Sequence, residues 1–167
     1  MEKIIDWVGW KLNTMFPNRS RLIEVNGDPY LRRFYIKHSG ILPGIYLHYF
    51  YRGDGDRDLH NHPWKISFSF ILTNGYFEER LSGLLNIKRR ELKPGSVNII
   101  RANDFHRVDL RDSSKGVWTI FCTFREIQNW GFWIRESGEY IDNVTYENEK
   151  IKGSRSVIDR SLQFDVN

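Results

Sequence analysis

Residues 64–81 read WKISFSFILTNGYFEERL. Two strand candidates stand here, Trp64–Leu72 and Tyr76–Leu81, both rich in the aromatic and branched side chains that fit a pleated surface. Asn74-Gly75 between them is a turn signal, and it predicts that the two close on each other as a strand pair. Working outward, Tyr30–Lys37 and Ile45–Arg52 precede this unit. Leu84–Leu92, Ser96–Arg101, Arg107–Leu110, Val117–Phe124 and Phe132–Arg135 follow it. Ser39-Gly40, Pro43-Gly44, Ser82-Gly83, Pro94-Gly95 and Lys115-Gly116 punctuate them. Short strands at such close spacing predict an all-β fold, a single-domain antiparallel jelly-roll barrel or sandwich.

Ile4, Ile5, Val8, Leu12, Met15 and Phe16 recur at helical spacing and stop at Pro17, which predicts a short N-terminal helix capping the body. The expected organisation is helix and lead-in over residues 1–29, barrel over 30–142, and a polar C-terminal extension over 143–167. Composition agrees. The 167 residues suit one domain, and 6 Trp, 8 Tyr and 11 Phe stand against a single alanine, Ala102, which argues against a helical bundle.

The net charge of +4 tolerates an anionic ligand but lacks the dense basic tract of a nucleic-acid binder, so nucleic acid is not an expected partner. Lys88-Arg89-Arg90, the densest cluster, reads as a solvated strand edge. No window is apolar for the roughly 20 residues a bilayer span needs. Cys122, the only cysteine, has no internal disulfide partner. A cytoplasmic protein without a membrane partner is expected.

His60-Asn61-His62 carries the chemistry. On an extended backbone, side chains two apart share a face, so both imidazoles can address one centre. Two imidazoles alone rarely hold a metal tightly, and His106 is the candidate third ligand.

The pattern around these residues resembles the cupin superfamily. Gly53 and Gly55 straddle the first glycine of its first motif, His60 and His62 supply the His-x-His, and Gly75 falls one residue after the closing glycine. In the second motif Gly95 and His106 fall in register, with Arg101 and Asn103 in place of the usual proline and glycine. Asparagine suits a left-handed turn position, which makes Asn103 an acceptable replacement. The resemblance covers about Ile45 to Phe124. The family's glutamate ligand would fall at Ile66 or Ser67, neither of which is a carboxylate.

A three-histidine set in a Leu59-His60-Asn61-His62-Pro63 context resembles the thiol dioxygenases. The resemblance implies a non-haem iron(II) dioxygenase acting on a small, thiol-containing substrate, with zinc, nickel or manganese as other divalent choices. Ligand count alone leaves a hydrolytic zinc site equally open.

His48 and Arg52, four apart on the preceding strand, share a face there: Arg52 to hold an anionic group, His48 to move a proton. Tyr76, with Tyr46, Tyr49 and Tyr51, offers a phenol near the metal, and a tyrosine beside Cys122 would allow a thioether crosslink. Arg57 and Asp58 are candidates to fix a histidine tautomer. Two other functions fit the same fold: a metal-independent sugar or nucleotide-sugar isomerase or epimerase with a basic rim of Arg32, Arg33, Arg52 and Arg57, and a non-catalytic binding module. An exposed sheet edge predicts a homodimer.

Overall fold

A computed structural model of the protein describes residues 2–15, 19–25, 27–39, 42–55, 58–83 and 86–148. Helix α1 (Glu2–Met15) precedes twelve strands. These are β1 (Ser20–Val25), β2 (Asp28–Ser39), β3 (Leu42–Phe50), β4 (Leu59–His60), β5 (Ile66–Ile71) and β6 (Tyr76–Ser82). They continue with β7 (Asn86–Leu92), β8 (Val97–Arg101), β9 (His106–Leu110), β10 (Val117–Thr123), β11 (Gly131–Ile134) and β12 (Glu139–Asp142). One sheet has the order β1-β2-β3-β10-β5-β8 and the other β12-β11-β4-β9-β6-β7, giving a two-sheet antiparallel jelly roll. Among the described residues no helix is long and apolar enough to cross a membrane.

The pleat sorts each strand into an inner and an outer face. On β10, Val117, Thr119 and Phe121 face inward while Trp118 faces out, where it packs with Phe34 and Leu47. Helix α1 covers that outer cluster, because Gly9 lies so close to the Trp118 indole that no Cβ would fit. Inside, one apolar cluster holds Ile71, Tyr76, Leu92, Val108, Leu110 and Val117. A second holds Tyr46, Ile100 and Phe121. Between them, at alternate positions of the same strands, lies a buried polar belt: His48, Ser69, Glu78, Asn98, His106 and Thr119.

Four features differ from the sequence expectation. Asn74-Gly75 does not close a strand pair. Strand β5 bonds to β10 and β8, whereas β6 bonds to β7 and β9, so the turn carries the chain from one sheet to the other. Both residues take positive φ, 56° and 83°, and Gly75 approaches the Leu92 carbonyl too closely for a side chain. Among the described residues Asn74 is the one non-glycine with positive φ, so Asn103 does not use the left-handed conformation.

Strand β1 begins at Ser20, inside the stretch expected as lead-in, and pairs along its length with β2. The short β4 and β12 were also not expected. Of the C-terminal extension, residues 143–148 form a helical turn, and 149–167 lie outside the described residues.

Candidate metal centre

Register brings the histidines together. His60 on β4 is the Cα partner of His106 on β9, which sets the two side by side across neighbouring strands. The chain leaves β4 after His60, but Asn61 is held to β11: its amide donates to the Gly131 carbonyl at 3.1 Å, and its Oδ1 accepts from the Gly131 amide at 2.8 Å. Asn61 is buried on the opposite side, so His62 returns to the side of His60. The Gln128 amide then donates to the His62 carbonyl at 3.2 Å.

Ring centroids stand 5.2 Å apart for His60–His62, 4.8 Å for His60–His106 and 5.1 Å for His62–His106. One nitrogen of each ring lies within 4.8 Å of the others. The Nε2 atoms of His62 and His106 are 2.9 Å apart. Two nitrogens bound at about 2.0–2.1 Å and at a right angle to one ion stand about 3 Å apart, so this spacing fits adjacent ligands of a single metal. The donor set fits too: borderline imidazoles, with no carboxylate among them.

Carboxylates stand behind two of these rings. Glu78 Oε1 lies 2.9 Å from His106 Nδ1. A carboxylate only accepts, so Nδ1 carries the ring proton and Nε2 presents its lone pair to the centre. Glu78 is fully buried, yet its Oε1 also accepts from Arg80 at 2.8 Å and Asn98 at 2.7 Å, and its Oε2 from Arg90 at 2.7 Å. Burial alone would raise its pKa, but these donors, with His106 foremost, hold the carboxyl well below the usual range.

Behind His60, Asp54 Oδ2 stands 3.7 Å from Nδ1. Asp54 is fixed by the Val108 amide at 2.6 Å and by the Tyr30 hydroxyl. The sequence pointed to Arg57 and Asp58 for this role. Asp58 instead accepts from the Arg135 amide at 3.0 Å and the Tyr146 hydroxyl at 3.1 Å, and Arg57 lies outside the described residues. The one clue to Glu78 was an acidic residue on the inward register of a strand, two positions from Tyr76.

His48 lies inside the barrel, stacked on Phe121 at 5.0 Å, and Phe121 in turn contacts His62 at 6.0 Å. Its Nε2 accepts from Arg33 Nε at 3.1 Å. Burial, reinforced by the Arg33 charge, lowers the His48 pKa well below its ordinary value. Burial, then the neighbouring His106 and His60, does the same to His62.

The structure does not bring Arg52 to this place. Strand β3 ends at Phe50, so the period-two relation to His48 lapses, and Arg52 donates to the Val25 carbonyl at 2.6 Å and pairs with Asp28 at 3.4 Å. Tyr76 sits in the apolar cluster, its hydroxyl 3.3 Å from Asn98 Nδ2, and meets His106 only through Asn98 and Glu78. Burial pushes its pKa up to about 12. Cys122 alternates with Phe121 and therefore faces away from the histidines and from Tyr46.

No family model and no curated protein matches the chain. Solved structures do. Hydroxypropylphosphonic acid epoxidase from S. wedmorenis matches over 65% of this chain and 57% of that chain, at 12% identity and a TM-score of 0.51. A structure of Fe(II)-HppE with an alternative substrate gives the same identity and TM-score, over 65% and 58%. The formate complex of Lactobacillus farciminis oxalate decarboxylase matches over 68% and 33%, again at 12% and 0.51. The chain thus spans less than two thirds of each of these proteins. At this identity the likeness shows the fold alone, a two-sheet antiparallel β-barrel shared with these proteins.

Proposed function

We propose that His60, His62 and His106 hold one divalent metal, iron(II) before zinc, nickel or manganese, and that the protein is an oxygen-using oxidoreductase of a small substrate, with a thiol as the first class to test. The observation that carries this reading is the convergence of three imidazoles, from β4, from the segment just after it and from β9, without a carboxylate in the set. A structural neighbour solved with Fe(II) favours iron. When bound, such a metal supplies a Lewis-acidic centre with open positions for a substrate donor and dioxygen.

The protein's own residues do the rest. Glu78 holds the His106 tautomer, and Asp54 backs His60. Phe121 and Trp64 wall the His62 side.

A metal-independent isomerase would need a histidine as its base, and His48 is one candidate. Arg33 occupies its Nε2, which disfavours that role. Oxygen uptake by iron-reconstituted protein, offered a panel of small aliphatic thiols, tests the proposal. Uptake that requires both iron and thiol, and that falls at least 100-fold in His106→Ala, is expected. Full uptake in that variant, or none with any thiol, would refute the thiol-oxidising reading.

A further inference from the structure

Helix α1 lies over the outer face of one sheet, and Gly9 fixes which side of the helix turns inward. The Trp118 indole leaves no room for a Cβ at this position, so the helix backbone itself packs on the ring. Glycine is unfavourable inside a helix, and close approach is what it provides here. At 3.6 residues per turn, Ile4, Trp7, Val8, Trp10 and Lys11 all lie about 100° or more from Gly9 around the helix. Their exposure agrees: Ile4 is 66% exposed, Trp7 56%, Trp10 58% and Val8 37%. Two indoles and two branched side chains are thus turned away from the body.

Charge is sorted along the same division. The helix carries two acids, Glu2 and Asp6, and two bases, Lys3 and Lys11. Helical spacing sets both acids within about 60° of Gly9 and both bases more than about 100° from it. The outward arc therefore combines apolar residues with cations and holds no acid. Lys11 Nζ stands 5.6 Å from the Trp7 ring centroid and 5.4 Å from that of Trp10, so its ammonium rides over the two indoles. An apolar stem on the rings with the charge beyond them suits a lysine at the boundary between an apolar layer and a polar one.

A second copy of the chain would bring this face against itself across a two-fold axis, with cations near cations and no acid to pair them. An anionic bilayer surface matches every feature of the arc. Indoles favour the headgroup level, branched side chains the acyl boundary, and ammonium groups the lipid phosphates. The helix has 14 residues, fewer than the roughly 20 a span requires, so it would lie in the interface. The expectation of no membrane partner rests on the lack of a spanning segment, and a contact of this kind needs none.

We propose that α1 docks the protein onto an anionic lipid surface, with Ile4, Trp7, Val8 and Trp10 entering the headgroup boundary and Lys11 meeting lipid phosphate. The proposal holds whether or not the histidines bind a metal.

The test is co-sedimentation of the full chain with vesicles of phosphatidylcholine alone and of phosphatidylcholine with one third phosphatidylglycerol. Wild type, the double variant Trp7→Ser/Trp10→Ser and Lys11→Glu are compared, with circular dichroism to confirm folding and sedimentation velocity without lipid to report self-association. Wild type is expected to bind the anionic vesicles, about tenfold more tightly than the double variant and about fivefold more tightly than Lys11→Glu. The Lys11→Glu loss should be confined to the vesicles that contain phosphatidylglycerol. No binding of wild type to those vesicles, or equal binding by the double variant, would overturn the proposal. Self-association that the double variant abolishes, in a wild type that leaves vesicles unbound, would assign the face to a second copy instead. An equal Lys11→Glu loss on both vesicle types would overturn the part given to lipid phosphate.

Discussion

Glu78 shows how much a single side chain contributes to this barrel. It joins His106 to Arg80, Arg90 and Asn98, all within 2.9 Å. Replacing Glu78 with Gln removes the charge that fixes His106, and metal affinity is expected to fall about 10- to 100-fold, read by competition with a chelating dye. The same carboxyl links stability to pH. Its pKa is held below the ordinary carboxylate value in the folded state, so its contribution is present above that ordinary value and is lost as pH falls through the lower folded one. Urea unfolding from pH 7 to pH 3 should show wild-type stability declining with acid, and a flatter profile in Glu78→Gln. The histidine cluster was legible in the sequence because two of its members sit at strand spacing. Glu78 was not, because its meaning depends on a partner 28 residues away.

At the scale of elements, strands dense in aromatic and branched residues announced themselves, whereas β1, β4 and β12 did not. Strand β1 carries Arg21 and Glu24 on its exposed positions and buries little, and β4 is two residues long, too short for any periodic signal. The Asn74-Gly75 turn was legible as a turn but not in its destination, since backbone conformation at two residues does not say which sheet the next strand joins. Gly75→Ala would force a side chain into positive φ, with its Cβ 2.5 Å from the Leu92 carbonyl. A loss of about 1–3 kcal/mol in urea unfolding is expected. Tyr76→Phe on the adjoining strand removes the hydroxyl's hydrogen bonds with Ser69 and Asn98 and should cost about 1–3 kcal/mol, with metal content unchanged.

Over the whole molecule, two apolar clusters enclose a polar belt, and the belt is where function and stability compete. The clusters supply the fold: Ile71→Ala, at a fully buried position, should cost about 2–5 kcal/mol. The belt brings buried charge together at positions an apolar residue would pack more cheaply, and a ligand that binds only the folded chain offsets that cost. Cobalt(II) at about 100 times its dissociation constant should add about 2.7 kcal/mol, a rise of about 5–10 °C in Tm, and none in His106→Ala. The two-sheet architecture could be read from strand density alone, but the closing of β4 against β9, which makes the histidines meet, is a long-range pairing visible only in the folded chain.

Elemental analysis of protein purified without oxygen, beside its His60→Ala variant, addresses that meeting most directly. One equivalent of a divalent metal per wild-type chain, reduced to a small fraction in the folded variant, is predicted. Metal retained at full stoichiometry in His60→Ala, or absent from wild type even after reconstitution with iron, zinc, nickel and manganese, would contradict it.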